Sequence, residues 1–207
     1  STTFAGGTSG VYQEDVYLNE ELRFYFSADV DRTSVTRDSV RITSESGAPA
    51  DGSFSVERDC VRFVPTLPLQ RDLSDAGLRP GTRYRVEIAG FPWPDGVRST
   101  SGHPLAASLA GEFTTVAERD VNGAPRTWHI FDDRLQSRPG LARFFPPRRA
   151  KEVYVTPLGG SILVVCDKPI DPTTVSADNF DFRRRGATQP LALDVRLVEN
   201  APRALAR

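Results

Sequence analysis

Residues 22–42 read LRFYFSADVDRTSVTRDSVRI, and residues 162–182 read ILVVCDKPIDPTTVSADNFDF. The two stretches align without a gap, 140 residues apart. Asp31 falls on Asp171, Thr33 on Thr173, Val35 on Val175 and Asp38 on Asp178. Apolar positions coincide as well: Leu22 with Ile162, Phe24 with Val164, Phe26 with Cys166 and Val30 with Ile170. Similarity at a fixed spacing marks a chain built from like modules. Within the first copy Leu22, Phe24 and Phe26 alternate with Arg23, Tyr25 and Ser27, the period-two pattern of a half-buried strand. The run then enters a turn-forming Asp-x-Thr-x-Val.

The same pattern recurs outward from this segment. Val16–Leu18, Val40 with Ile42, Phe54 with Val56, Val61 with Phe63, Tyr84 with Val86 and Ile88, and Phe113 with Val116 read as short strands between turns. About seven such strands, with no convincing helical period, predict an antiparallel β-sandwich. A chain of 207 residues has room for two modules of that size. The organisation expected is a loose lead-in over 1–10, a complete sandwich over 11–117, a structured apolar bridge over 118–147 and a second module over 148–207.

Leu78-Arg79-Pro80-Gly81-Thr82-Arg83-Tyr84 has the form of a tyrosine corner. In that motif a Tyr at the start of a late strand hydrogen-bonds backbone a few residues upstream and fixes the crossing between sheets. Tyr84, Pro80 and Gly81 are therefore structural candidates. An ordinary Pro-Gly turn is the alternative.

With these residues in view, the segment Val16–Val116 resembles the bacterial Ig-like domain family of surface-layer and large secreted multidomain proteins. The resemblance rests on Phe26-Ser27, Val30-Asp31 through Val35, Phe63-Val64-Pro65, Pro80 to Tyr84, the Asp95–Leu105 loop and Phe113-Thr114-Thr115. It implies an Ig-like sandwich in a secreted or cell-envelope bacterial protein. The loop from Phe91 to Leu109 is longer than the family leads one to expect.

The second copy carries the strand Ile162–Cys166, a strand at Phe180–Phe182 and an alternating run with Leu191, Leu193, Val195 and Leu197 on one face. It holds no tyrosine corner, so this module is expected to be incomplete and to continue past Arg207. The bridge contains Trp128, Ile130, Phe131, Leu135, Leu141, Phe144 and Phe145, unlike a Gly/Ser linker. Leu163 and Val165 make the second copy's strand apolar on both faces, so part of the bridge is expected to cover it or to pack between the modules.

Net charge is −1, which gives no strong field toward nucleic acid or membranes. No apolar run is long enough to span a bilayer. No phosphate loop, zinc-protease helix motif or serine-hydrolase elbow is present. His103 and His129 lack ligand spacing with each other or with Cys60. Ser161, after Gly159-Gly160, has no identifiable base nearby. The acidic pairs Glu14-Asp15, Glu20-Glu21 and Asp132-Asp133 read as solvated surface, since neighbours on a strand point to opposite faces. Cys60 is expected to point outward and Cys166 inward, as two unpaired thiols.

Three further sets admit a site. Asp31 and Asp171 could begin calcium sites, with Asp29, Asp38, Asp167 and Asp178 as further oxygens. They could equally cap the turns that follow them. Arg148-Arg149 and Arg183-Arg184-Arg185 could meet an anion, or be solvated turns. Phe91, Trp93 and Tyr12 could form an aromatic carbohydrate platform, with His103 in the same loop. The preferred reading of Trp93 is a plug over the open end of the sandwich. The function expected is non-catalytic and needs no cofactor: a spacer or interaction module whose partners are neighbouring domains of the same polypeptide. A carbohydrate- or protein-binding module of adhesin type, or an accessory domain of an extracellular hydrolase, is the alternative.

Overall fold

A computed structural model describes residues 2–5, 11–117, 141–145, 162–166, 169–183 and 186–200. The chain divides into two units, Ser1–His129 and Ile130–Arg207. In the first unit β1 (Thr2–Ala5), β3 (Leu22–Tyr25), β6 (Cys60–Pro65) and β5 (Gly52–Glu57) form one sheet in the order β1-β3-β6-β5. The second sheet has the order β2-β8-β7-β4, from β2 (Val11–Val16), β8 (Leu109–Thr115), β7 (Arg83–Ile88) and β4 (Val40–Ser44). Leu22, Phe24, Val61 and Phe63 of one sheet meet Ile42, Tyr84, Val86 and Phe113 of the other in a single buried cluster. This is the β-sandwich that the alternating pattern predicts, of the Ig-like kind that the resemblance implies.

Thr2–Ala5, expected to be loose, instead form β1. It pairs in parallel with β3, Thr2 opposite Leu22 and Ala5 opposite Tyr25. The backbone edge of β3 supplies the partner, and pairing at a sheet edge is made by backbone groups whatever the side chains. The consequence is a particular chain path. β1 and β3 both start at one end of the sandwich, and β2 and β8 both finish there, Val16 opposite Thr115. The chain therefore enters and leaves the sandwich at the same end, the base. The opposite end, the tip, gathers the 26–39 connection, the Arg58-Asp59 turn and the 89–108 loop.

The repeat is visible as a set of matching hydrogen bonds. A 3-10 turn follows Asp31 at Arg32–Ser34, and another follows Asp171 at Pro172–Thr174. Asp31 Oδ1 accepts from Thr33 N–H at 2.9 Å and from Thr33 Oγ1 at 2.8 Å. Asp171 accepts from Thr173 at the same two distances. The Ser34 hydroxyl donates to Asp31 O at 2.7 Å, as the Thr174 hydroxyl does to Asp171 O. Ser39 Oγ donates to Ser34 O at 2.6 Å, and Asn179 Nδ2 replaces it, donating to Thr174 O at 2.6 Å. Different side chains at one position make the same bond, so the repeat encodes a crossover connection.

The outer edge of β5 is dressed by arginines from the same connection. Arg32 Nη2 donates to Val56 O at 3.2 Å, and Arg37 Nη2 donates to Gly52 O at 2.9 Å. Arg37 is also held by Asp51 at 3.2 Å. Guanidinium groups on exposed carbonyls blunt an edge that could otherwise template another strand.

In the second unit β9 (Leu141–Phe145) pairs antiparallel with β10 (Leu163–Cys166). This part of the bridge meets β10 along its edge, and Leu163 stays 47% exposed. Lateral backbone pairing satisfies the edge without covering the face. Trp128, Ile130, Phe131 and Leu135 lie outside the described residues, as do Pro202 to Arg207. The expected strands at Phe180–Phe182 and Leu191–Leu197 do not form ladders. The return bond is common to both copies: Ala50 N–H donates to Ile42 O at 2.8 Å, and Leu191 N–H to Phe182 O at 2.7 Å.

Candidate functional site

The tip loop starts where β7 ends and is built as three side-by-side segments. Val97 N–H donates to Ala89 O at 2.8 Å, Leu105 N–H to Val97 O at 2.8 Å, and Phe91 N–H to Leu105 O at 2.8 Å. Val97 is buried and anchors the middle segment in the core. At Gly90 a Cβ would lie 2.5 Å from Ala107 O, so the backbones close around that residue and only glycine fits. The loop is then pinned to the repeated turn: Asp31 N–H donates to Arg98 O at 2.9 Å, and Arg98 N–H to Ser34 Oγ at 3.0 Å.

Phe91 and Trp93 stand on this frame. The turn carrying them is closed by Trp93 N–H to Gly90 O at 2.9 Å and Gly96 N–H to Trp93 O at 3.2 Å. The Phe91–Pro92 peptide is cis, and the Arg98 guanidinium donates to Pro94 O. Phe91 is 64% exposed and Trp93 65% exposed. Trp93 is therefore not the plug expected of it. Its turn closes on Gly90 O, and the loop residues that reach the core are Val97 and, partly buried, Leu105. The side chain of Tyr12 is outside the described residues. His103 is exposed and accepts or donates at 3.0 Å with Ser101 Oγ, which in turn lies 2.9 Å from Ser99 Oγ.

The aspartates of the repeat act locally. The Thr33 backbone N–H, then its hydroxyl, hold the Asp31 carboxyl below the usual carboxylate range. Asp29 lies 3.9 Å from Arg58, and Asp178 accepts from the Ser176 hydroxyl at 3.0 Å. Asp167 is outside the described residues. Among the described residues no three His, Cys, Asp or Glu side chains converge as a metal site requires. Charge at the tip is nearly balanced, with Asp29, Asp31, Asp38, Asp59 and Asp95 set against Arg32, Arg37, Arg58 and Arg98.

The tyrosine corner lies at the base. Tyr84 is buried, stacked on Phe113 with ring centroids 5.2 Å apart, and its hydroxyl accepts from Arg79 N–H at 2.8 Å. Thr115 completes it. Its hydroxyl donates to Arg79 O at 2.5 Å and accepts from Thr82 N–H at 2.9 Å. Pro80 O accepts from Thr82 Oγ1 at 3.1 Å, and Gly81 adopts φ +59°. Tyr84, Pro80 and Gly81 belong to one local pattern, whereas Thr115 sits 31 residues from Tyr84 in the chain, so that pattern does not contain its part in the corner.

Cys60 is 7% exposed, although alternation places it outward. It lies opposite Tyr25 on the outer face, flanked by Arg23 and Arg62. Burial raises its thiol above the ordinary value. Cys166 is partly buried, and neither cysteine is in a disulfide among the described residues. The outer-face arginines gather on Glu21, with Arg62 at 2.5 Å and Arg23 at 3.4 Å. Arg183 is engaged by Asp181 at 2.7 Å. Arg148, Arg149, Arg184, Arg185, Ser161, His129 and the Asp132-Asp133 pair lie outside the described residues. Among the described residues no helix is long and apolar enough to cross a membrane.

A family model described as a bacterial Ig-like domain matches residues 3–115, from β1 to the end of β8. No curated protein matches the chain.

Proposed function

The chain belongs to the bacterial Ig-like domain family, and from that premise we propose that it is a non-catalytic structural and interaction module of a bacterial surface or secreted multidomain protein. Domains of this family occur in such proteins and are generally non-catalytic. The observation that carries the interaction side of this reading is the chain path. A span in an end-to-end string takes its load at opposite ends. Here β1 begins and β8 finishes at the base, so both chain connections of the sandwich leave from one end and the tip carries neither. The neighbouring domains of the same polypeptide are its expected partners.

The test is labelling of intact cells of the bacterium that encodes the chain, with an antibody against the first unit. Staining of unbroken cells, or recovery from the culture medium, is the expected result. Signal that appears only after lysis contradicts the proposal.

A further inference from the structure

We propose that the tip is a carbohydrate-binding platform in which Phe91 and Trp93 stack on the apolar faces of sugar rings. Several independent observations lead there. Both aromatic side chains are about two-thirds exposed in a unit whose other aromatic anchors, Phe24, Phe63, Tyr84 and Phe113, are buried. Leaving two large aromatic groups in water forgoes their burial energy, so their exposure asks for a ligand. The platform is pre-organised, because the turn is tied to Gly90, Leu105 and, through Arg98, to the repeated Asp31 connection. A rigid aromatic surface loses little conformational entropy on binding. The tip is also the end of the sandwich remote from chain entry and exit.

The ligand class follows from size and charge. At two-thirds exposure, two aromatic side chains offer on the order of 200–300 Å². A stable protein partner needs about 800 Å² on each side. A few sugar rings match the smaller figure. Near-balanced charge gives no attraction for a polyanion or an anionic membrane. Neutral sugars also need hydrogen-bonding groups at the edge of a stacking surface. The exposed Ser99–Ser101–His103 chain is the source of such groups in the same loop, two residues before the Leu105 carbonyl that holds Phe91.

The experiment is affinity electrophoresis and titration calorimetry of the full chain against soluble neutral glycans: cello-, chito- and manno-oligosaccharides and the matching polysaccharides. The expected result is binding to at least one class. Trp93→Ala and Phe91→Ala should each weaken it by about tenfold or more, and Trp93→Phe should retain most of it, all with unchanged melting temperature. Absence of binding across the panel overturns the proposal, as does binding that Trp93→Ala and Phe91→Ala leave intact. Trp93-dependent binding to phosphatidylcholine–phosphatidylglycerol vesicles, without glycan binding, also overturns it and assigns the tip to a membrane surface.

Discussion

The Tyr84 hydroxyl accepts a 2.8 Å hydrogen bond from the Arg79 backbone N–H, five residues upstream and on the far side of the Pro80-Gly81 turn. This bond fixes the crossing from the 66–82 loop into β7, and Thr115 of β8 closes the same turn from the neighbouring strand. Tyr84→Phe keeps the ring and its stacking on Phe113 but leaves Arg79 N–H without its acceptor. A cost of about 1–3 kcal/mol is expected, read as a fall of several degrees in melting temperature. An unchanged melting temperature would mean the corner is ornamental.

The same residue gives stability an alkaline dependence. Burial holds the Tyr84 phenol above its ordinary value of about 10. The folded state thus keeps this proton more tightly than the unfolded chain does. The associated stability is fully present below about pH 10 and is lost as pH rises through the folded value. Denaturant melts between pH 8 and 11 should show that decline, and Tyr84→Phe should remove its Tyr84 component.

Asp31 and Asp171 are expected to behave as turn caps. Asp31→Ala should lower the melting temperature, and Asp31→Asn, which keeps an acceptor, should do so less. Because hydrogen bonds hold the Asp31 carboxyl below its usual value, its contribution is present above about pH 4 and is lost as pH falls through the folded value. Neither EDTA nor added calcium should shift the melt. A calcium-dependent rise would restore the metal reading of the repeated aspartates.

Arg32 and Arg37 should matter for solution state more than for folding. Removing both, as Arg32→Ala with Arg37→Ala, uncovers Val56 O and Gly52 O along β5. Self-association is the expected outcome, detected by sedimentation velocity at increasing concentration. A double variant that sediments as the parent does would show that the edge needs no such cover.

Backbone crowding gives a ranking. At Gly77 a Cβ would lie 2.0 Å from Asp51 O and 2.6 Å from Thr66 N. At Gly81, with φ +59°, it would lie 3.0 Å from Ala117 Cβ. Gly77→Ala should cost more than Gly81→Ala, which carries about 1–2 kcal/mol for its left-handed backbone. Equal losses in urea melts would contradict the crowding.

Local chemistry was legible in the sequence, and non-local pairing was not. The alternation in Leu22–Phe26 located the core strand, and the order Leu78 to Tyr84 located the corner. The repeat at Asp31 and Asp171 pointed to an element common to both copies. The size of Trp93 argues for burial, whereas the turn around it is set by Gly90 meeting Ala107 across the loop. Cys60 follows the alternation but is covered by Tyr25 and the flanking arginines, a contact between strands that no single-strand pattern contains. β1 was missed because its pairing depends on the free edge of β3. The strands expected at 180–182 and 191–197 have the right pattern but, among the described residues, no ladder partner.

The chain path is the claim on which the display of the tip depends, and a distance pair tests it. In a Cys60→Ala, Cys166→Ala background, spin labels at Thr2 and Ala117 report the two chain ends of the sandwich, while labels at Asp95 and Ala117 report tip to base. β7 alone spans about 20 Å. The account predicts a Thr2–Ala117 distance clearly shorter than the Asp95–Ala117 distance. A Thr2–Ala117 distance equal to or longer than Asp95–Ala117 would place chain entry at the tip and contradict it.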